Sequence, residues 1–218
     1  MNELKTIFSR PWSVRLPTVV RYLESEYVDM FFNDSIIRLS SFKAFRKHKD
    51  EQRHDPAEGR VSMEIKVPNA NHAVVAMNGQ EAYVLCAVTV ESENMKARFK
   101  TNSGFRITNT LAFADCISRQ IPGFIGGVQG LCAYRDNTLL QKKLNVPFKS
   151  PESYGNLEEW AAEYERFIGS QSIDAFFIKA SKYSDEGEYR FIWFAQGKEK
   201  EDIKLHCPEA TKFCERID

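Results

Sequence analysis

The chain has little of what fibrous, disordered or disulfide-built proteins need. Eleven glycines and eight prolines among 218 residues are too few for a collagen-like, linker-rich or low-complexity protein. No stretch approaches the ~20 consecutive apolar residues that cross a bilayer. The longest runs are short segments such as AYVLCAVTV and FIWFA, so no membrane partner is expected. The opening segment MNELKTIFSRPWSVRL is charged at both ends and lacks an uninterrupted apolar stretch. It therefore does not read as a secretory signal, and the expected compartment is the cytoplasm. Five cysteines, at 86, 116, 132, 207 and 214, form an odd set with no Cys-x-x-Cys pair. That disfavours a disulfide framework or a zinc ribbon and points to reduced thiols in a core. Four histidines, none in a His-x-x-x-His or Cys-x-x-His arrangement, give no metal site. Acyl transfer lacks a Gly-x-Ser-x-Gly elbow. The run GGVQG at 126–130 lacks the Lys-Ser/Thr end of a phosphate loop and the spacing of a dinucleotide fingerprint, so its glycines mark a bulged or closely packed strand.

What is present suits a packed globule: 43% hydrophobic residues, 28% charged, and sixteen Phe to fill a core. The net charge of +0 hides an asymmetry. Residues 1–150 carry 21 Lys and Arg against 15 Asp and Glu, and residues 151–218 carry 9 against 15, giving +6 and −6. The densest basic segment, RLSSFKAFRKHKDEQR at 38–53, holds six Lys or Arg against two acids. It can grip a polyanion through Lys43, Arg46, Lys47 and Lys49, or serve only as a solvated helix face.

Hydrophobic periodicity orders the chain. TVVRYL (18–23) reads as a strand, ESEYVDMFFND as a helix with Tyr27, Val28, Phe31 and Phe32 on one stripe, and SIIRLSS as a strand. SFKAFRKHK reads as a helical turn led by a capping Ser, and DEQRHDPAEG (50–59) as a polar loop. VSMEIKV, AYVLCAVTV, GFRIT, IGGVQGLCAYR, YRFIWFA and DIKLHC read as strands. LAFADCISRQI and SPESYGNLEEWAAEYERFI read as helices, the second with Leu157, Trp160, Ala161, Tyr164 and Phe167 on one face. With no repeat and no long linker, residues 1–218 read as a single α+β domain, built on a split or strongly bent, mainly antiparallel sheet flanked by helices.

Two carboxylates at i and i+2 on a strand face one substrate together. The spacing is common here, at 24/26, 91/93, 163/165, 186/188 and 199/201, so context selects among the pairs. Glu163 and Glu165 lie on a helix, where residues two apart diverge, and Glu199 and Glu201 sit in the solvated run GKEKED. Glu24 and Glu26 complement a helix N-terminus, and Glu91 and Glu93 leave a strand for a polar turn. Glu186 and Glu188 alone stand at the head of a strongly apolar strand, the position of a cleft rim.

Taken in order, VVRYLESEYVDMFFNDSIIRLSSFKAFRKHKDEQRHDPAEG, the segment around FRITNTLAF, and KYSDEGEYRF resemble a family of uncharacterised bacterial domains. Its members open on a basic-aromatic strand, continue through a Ser-Ser-Phe strand into an acidic loop, and close on a Glu-x-Glu-aromatic-Arg strand. The match covers roughly two thirds of the chain. The same order resembles the ADP-ribosyltransferase fold. That resemblance implies NAD as a substrate, with Arg21 and Tyr22 on the first strand and Ser40 or Ser41 on the second holding it. It also implies that Glu188 stabilises the cation formed as nicotinamide leaves, and that Glu186 orients or deprotonates the acceptor. Tyr22, Phe42 or Tyr183 would stack on nicotinamide, each being equally suited to a core. The implied activity is that of a toxin or anti-phage defence enzyme, with protein, RNA, DNA or water as acceptor and an antitoxin protein as a neutralising partner. If segment 38–53 lines the same cleft, nucleic acid is the favoured acceptor. Two other readings stand beside it. One is a non-enzymatic module of a bacterial defence or toxin system that binds nucleic acid or protein through 38–53. The other is a phosphodiester-cleaving enzyme holding Mg²⁺ on Asp50, Glu51, Asp55 and Glu58.

Overall fold

The structure, a computed structural model, describes residues 16–41, 60–67, 70–77, 82–137, 140–145, 155–171, 173–197 and 201–217. Of the helical turn expected over 41–49, Ser41 ends a strand instead, and the rest of it, the polar loop, and with them Phe42, Lys43, Arg46, Lys47, Lys49 and the acids Asp50 to Glu58 lie outside the described residues.

Chain order runs β1 (Val19–Tyr22), α1 (Ser25–Asp34), β2 (Ile36–Ser41), β3 (Arg60–Val67), β4 (Ala70–Met77) and β5 (Ala82–Val88). Then come α2 (Glu93–Phe99), β6 (Gly104–Ile107), α3 (Thr110–Ser118), β7 (Phe124–Leu131), β8 (Ala133–Arg135) and β9 (Leu140–Asn145). α4 (Leu157–Gln171) and a 3₁₀ turn (Ile173–Phe177) lead to β10 (Ile178–Ala180), a second 3₁₀ turn (Ser181–Glu186), β11 (Glu188–Ala195), β12 (Ile203–His206), the short α5 (Pro208–Thr211) and β13 (Cys214–Ile217). This is an α+β fold on a mainly antiparallel, unclosed sheet. No helix among the described residues is long and apolar enough to cross a membrane.

The eight-stranded sheet is built on β5. Along one edge β5 pairs with β11 over its whole length, and β11 in turn pairs with β7. The other edge is split. Ser40 and Ser41 of β2 pair with Val84 and Tyr83, whereas Val20 of β1 pairs with Val88, and each of these β5 residues also has a partner on β11. β12 extends the sheet beyond β2, and β6 and β13 extend it beyond β1. Where the two halves part, the Arg21 guanidinium donates to the Cys86 carbonyl at 3.2 Å. Smaller ladders join β8 to β10 in parallel and β3 to β4 and β9.

Period-two alternation gives the central strands two covered faces, which is why EYRFIWFA reads as a nearly continuous apolar run. Tyr83, Leu85, Tyr189, Phe191 and Trp193 enter the main core with Phe31 of α1 and Phe113 and Ile117 of α3. The opposite face carries two smaller clusters, Val84 and Ile192 with Phe176, and Val20, Tyr22 and Val88 with Met95 of α2. Glu188 and Arg190 lie on that second face, in register with Val88 and Cys86.

Local chemistry sets the helix ends. Ser92 caps α2 by accepting from the Met95 amide at 3.3 Å, and Asn109 caps α3 by accepting from Ala112 at 3.0 Å. The acids Glu91 and Glu93, expected in a polar turn, therefore flank a helix start. IGGVQGLCAYR is two strands rather than one, broken at Cys132, and the bulge anticipated from its glycines lies opposite Phe194 and Ala195. On α4, Trp160 stacks on Tyr164 with centroids 5.1 Å apart, but Leu157 is exposed rather than part of the packed stripe. All five cysteines are thiols, with no disulfide among them.

Candidate functional site

β11 begins inside a buried ion-pair cluster. Glu188 is 5% exposed, Glu186 2%, Arg190 3% and Lys179 9%. Lys179 reaches its position from β10, which pairs in parallel with β8 so that Lys179 is in register with Tyr134. Its ammonium bonds one oxygen of Glu186 at 2.5 Å and Oε2 of Glu188. Oε1 of Glu188 accepts from Nε of Arg190 and from the Cys132 thiol, whose Sγ lies 3.7 Å away. Arg190 also donates to the Phe176 carbonyl at 2.7 Å, and Arg98 of α2 meets the second oxygen of Glu186 at 3.1 Å. The backbone is tied down as well, since the Glu188 amide donates to the Tyr134 hydroxyl at 2.7 Å and its carbonyl accepts from the Cys132 amide at 2.8 Å.

Burial alone would push the Glu188 carboxyl up. The adjacent charges of Arg190 and Lys179 overcome it and hold the group at about 2, so it is ionised at neutral pH. Burial likewise opposes the charge on Lys179, and the carboxylates of Glu188 and Glu186 raise it above the ordinary lysine value. Among the described residues three cations, Lys179, Arg190 and Arg98, meet the two carboxylates. At the half-buried rim, the Tyr183 ring is approached by Lys179 and Lys182, each 4.8 Å from its centroid, and by Arg98 at 5.6 Å.

Gly187 brings the two acids together. The i, i+2 strand spacing picks out the right residues for the wrong reason, because Glu186 ends a 3₁₀ turn and only Glu188 is on the strand. Gly187, at φ +54, reverses the chain between them, and its carbonyl accepts from both the amide and the hydroxyl of Thr89. A Cβ there would lie 2.4 Å from the Thr89 Oγ1. Gly187→Ala is therefore expected to cost about 1–2 kcal/mol, from left-handed backbone strain plus that contact. Urea unfolding checks this, and in a Thr89→Ala background the contact portion should disappear while the backbone portion stays.

The other residues expected to hold NAD do not join this cluster. Val20 shares the Glu188 face, so Arg21 next to it projects to the other face, in register with Phe105. Ser41 is 1% exposed, aligns with Tyr83 and Trp193 of the main core, and its amide donates to Asp202 at 2.9 Å. Ser40 faces the same side as Glu188 but stands four β5 positions along and two strands across, about 16 Å away at ordinary strand spacings. Tyr22 is buried, stacks on Phe99 with centroids 5.7 Å apart, and its hydroxyl accepts from the Ser92 amide at 3.3 Å. Of the residues expected at the site, the structure brings together Glu186, Glu188 and Tyr183. It adds Lys179, Arg190, Arg98, Cys132 and Tyr134. No group of His, Cys, Asp and Glu among the described residues is placed to hold a metal ion. No protein-family model, curated protein or solved structure matches this chain.

Proposed function

We propose that the head of β11 cleaves the nicotinamide–ribose bond of NAD and passes the ADP-ribose to a macromolecular acceptor, with RNA and DNA among the candidates, in the manner of a toxin or defence enzyme. The observation that carries the reading is the convergence of Glu186 and Glu188 on Lys179, with Glu188 held ionised. A fixed carboxylate charge is what an oxocarbenium-like transition state needs. The C–N bond breaks with its electron pair going to the nicotinamide nitrogen. The positive charge is left on the ribose until an acceptor oxygen or nitrogen bonds to C1 and its proton passes to Glu186. Tyr183 offers a ring face, and Arg98 and Lys182 offer cations for the pyrophosphate. Contacts to NAD in this reading come from that rim rather than from Arg21, Ser40 and Ser41. For Glu188 to meet the ribose, the Lys179 contact must open, and Lys179 is the more exposed of its two cationic partners, with an 11% exposed side chain against 4% for Arg190.

A second reading, a non-enzymatic module binding nucleic acid or protein, is favoured by one observation: both oxygens of Glu188 are already engaged, by Lys179, Arg190 and Cys132. In that case the cluster only locks β10 to β11. Nicotinamide release from NAD separates the two readings. The wild-type protein is expected to release it, Glu188→Gln to lose at least about a hundredfold in rate, and Tyr183→Ala to raise KM with kcat largely kept. Absence of release from wild type at enzyme concentrations comparable to NAD leaves the binding module standing.

A further inference from the structure

Among the described residues β7 pairs with β11 alone, so it closes one end of the large sheet. An exposed edge is a template for another strand, and chains that stay monomeric blunt it with lysine, proline or a covering element. Among the described residues β7 has no lysine, no proline and no covering element, and its one safeguard is a bulge near its first residues. Its sequence FIGGVQGL has no charged residue and no proline, and none of its eight residues is buried, although seven of the eight in the adjacent β11 are. Its exposed apolar side chains are Phe124, Ile125 at 59% and Leu131 at 58%.

The pattern of these residues is self-complementary. Pairing with β11 puts Gly126, Val128 and Gly130 on one face and Gly127, Gln129 and Leu131 on the other, and Ile125 is the extra residue of the bulge opposite Phe194 and Ala195. Two antiparallel copies related by a twofold axis through the sheet can pair only residues of the same face. With the axis at Val128, Gly126 meets Gly130 and Gly127 meets Gln129. Ile125 then meets Leu131 of the second copy, and symmetry makes that contact twice. The two most exposed apolar side chains of the strand cover each other, and glycines fill the places where two large side chains would collide. A Cβ at Gly126 would have nothing within 4 Å, so the backbone there is open to approach.

We propose that two copies of this chain associate through β7, antiparallel about a twofold axis at Val128, to form one continuous sheet. An uncharged, self-matching strand suits a second copy better than a charged foreign peptide, which would find no complementary charge along it. Sedimentation equilibrium of the full chain tests the proposal. Wild type is expected to show a concentration-dependent dimer. Ile125→Lys with Leu131→Lys sets like charges opposite each other twice, and should weaken the dimer on the order of a hundredfold. Ile125→Lys with Leu131→Glu sets opposite charges in the same places, and should recover much of that loss. Circular dichroism melting confirms that both variants fold, since neither side chain is in a core. A wild type that stays monomeric up to about 100 μM, a range that populates even weak pairing, overturns the proposal. A dimer indifferent to the charge arrangement at 125 and 131 overturns it equally.

Discussion

Glu188→Leu should lower the folding free energy by about 3–5 kcal/mol, the typical consequence of removing one partner from a buried ion pair. The loss does not measure the strength of a contact. It reflects Arg190, 3% exposed, losing the carboxylate that meets its buried guanidinium, and Lys179, 9% exposed, keeping Glu186 but losing the second of its carboxylates. Glu188→Gln should cost less, because an amide oxygen still accepts from Arg190. Replacing Lys179→Met, Glu188→Leu and Arg190→Met together should recover part of the stability, since the desolvation cost of those three charges goes with them while the buried Glu186 keeps Arg98. Urea midpoints at pH 7 give the comparison. If the single Glu188→Leu variant is as stable as wild type, the cluster is not buried in solution. The acid limb gives an independent reading. The folded Glu188 carboxyl sits at about 2, below an ordinary unfolded carboxylate. Its contribution is therefore complete above the unfolded value and is lost as pH falls from about 5 toward 2, a span worth on the order of 3 kcal/mol. The raised Lys179 acts in the opposite sense, stabilising at all lower pH and fading only in strong alkali. Wild type should thus lose stability more steeply than Glu188→Gln between pH 5 and pH 2.

Much of this arrangement is legible in the sequence, and the failures have physical causes. Strands β1, β2, β5 and β11 and helices α1, α3 and α4 follow from apolar periodicity, because each buries a continuous face. β4, β13 and the short β10 do not, since strands of three or four residues offer few alternations to stand out from loop sequence, and β4 mixes small and polar residues, while β8 is read only as the tail of a longer strand. The Glu186 and Glu188 pair stands out by its place ahead of an apolar strand, yet its cations do not. Arg190 is the available signal, one charge inside YRFIWFA, and a charge within a buried strand demands a partner. Lys179 lies seven residues before Glu186, on a different element and across a 3₁₀ turn, so no single helix or strand pattern joins the two. Motif order places Arg21 and Ser41 with Glu188, and here one residue of strand register decides the outcome. Arg21 follows Val20, so its side chain takes the opposite face.

A second large effect is expected far from any charge, at Gly104→Ala. Gly104 pairs with Tyr22 on one side and Ile217 on the other, so it holds β1 and β13 to β6. A Cβ at Gly104 would lie 2.5 Å from the Arg21 carbonyl oxygen, 3.2 Å from the Tyr22 Cα and 3.3 Å from the Arg21 carbonyl carbon. All three atoms are backbone, and no rotamer change can move them, so β1 itself must shift. The cost should reach the upper end of the roughly 1–3 kcal/mol typical of overpacked sites. Movement of β1 would carry consequences toward the cluster. Tyr22 stacks on Phe99, the last residue of α2, and α2 supplies Arg98 to Glu186. Arg21, on the same strand, bonds Cys86 where the sheet splits, and Arg190 lies in register with Cys86. Gly104→Ala should therefore lower the melting temperature and also loosen the Arg98–Glu186 pair, read as faster hydrogen exchange in α2. Gly126→Ala, compared at concentrations where the chain is monomeric, is the control. An added Cβ there meets nothing within 4 Å, so stability should stay within about 0.5 kcal/mol. Equal melting of the two variants would show that β1 and β6 are not in close contact at Gly104, and would remove with it the link between the split in the sheet and the ion-pair cluster.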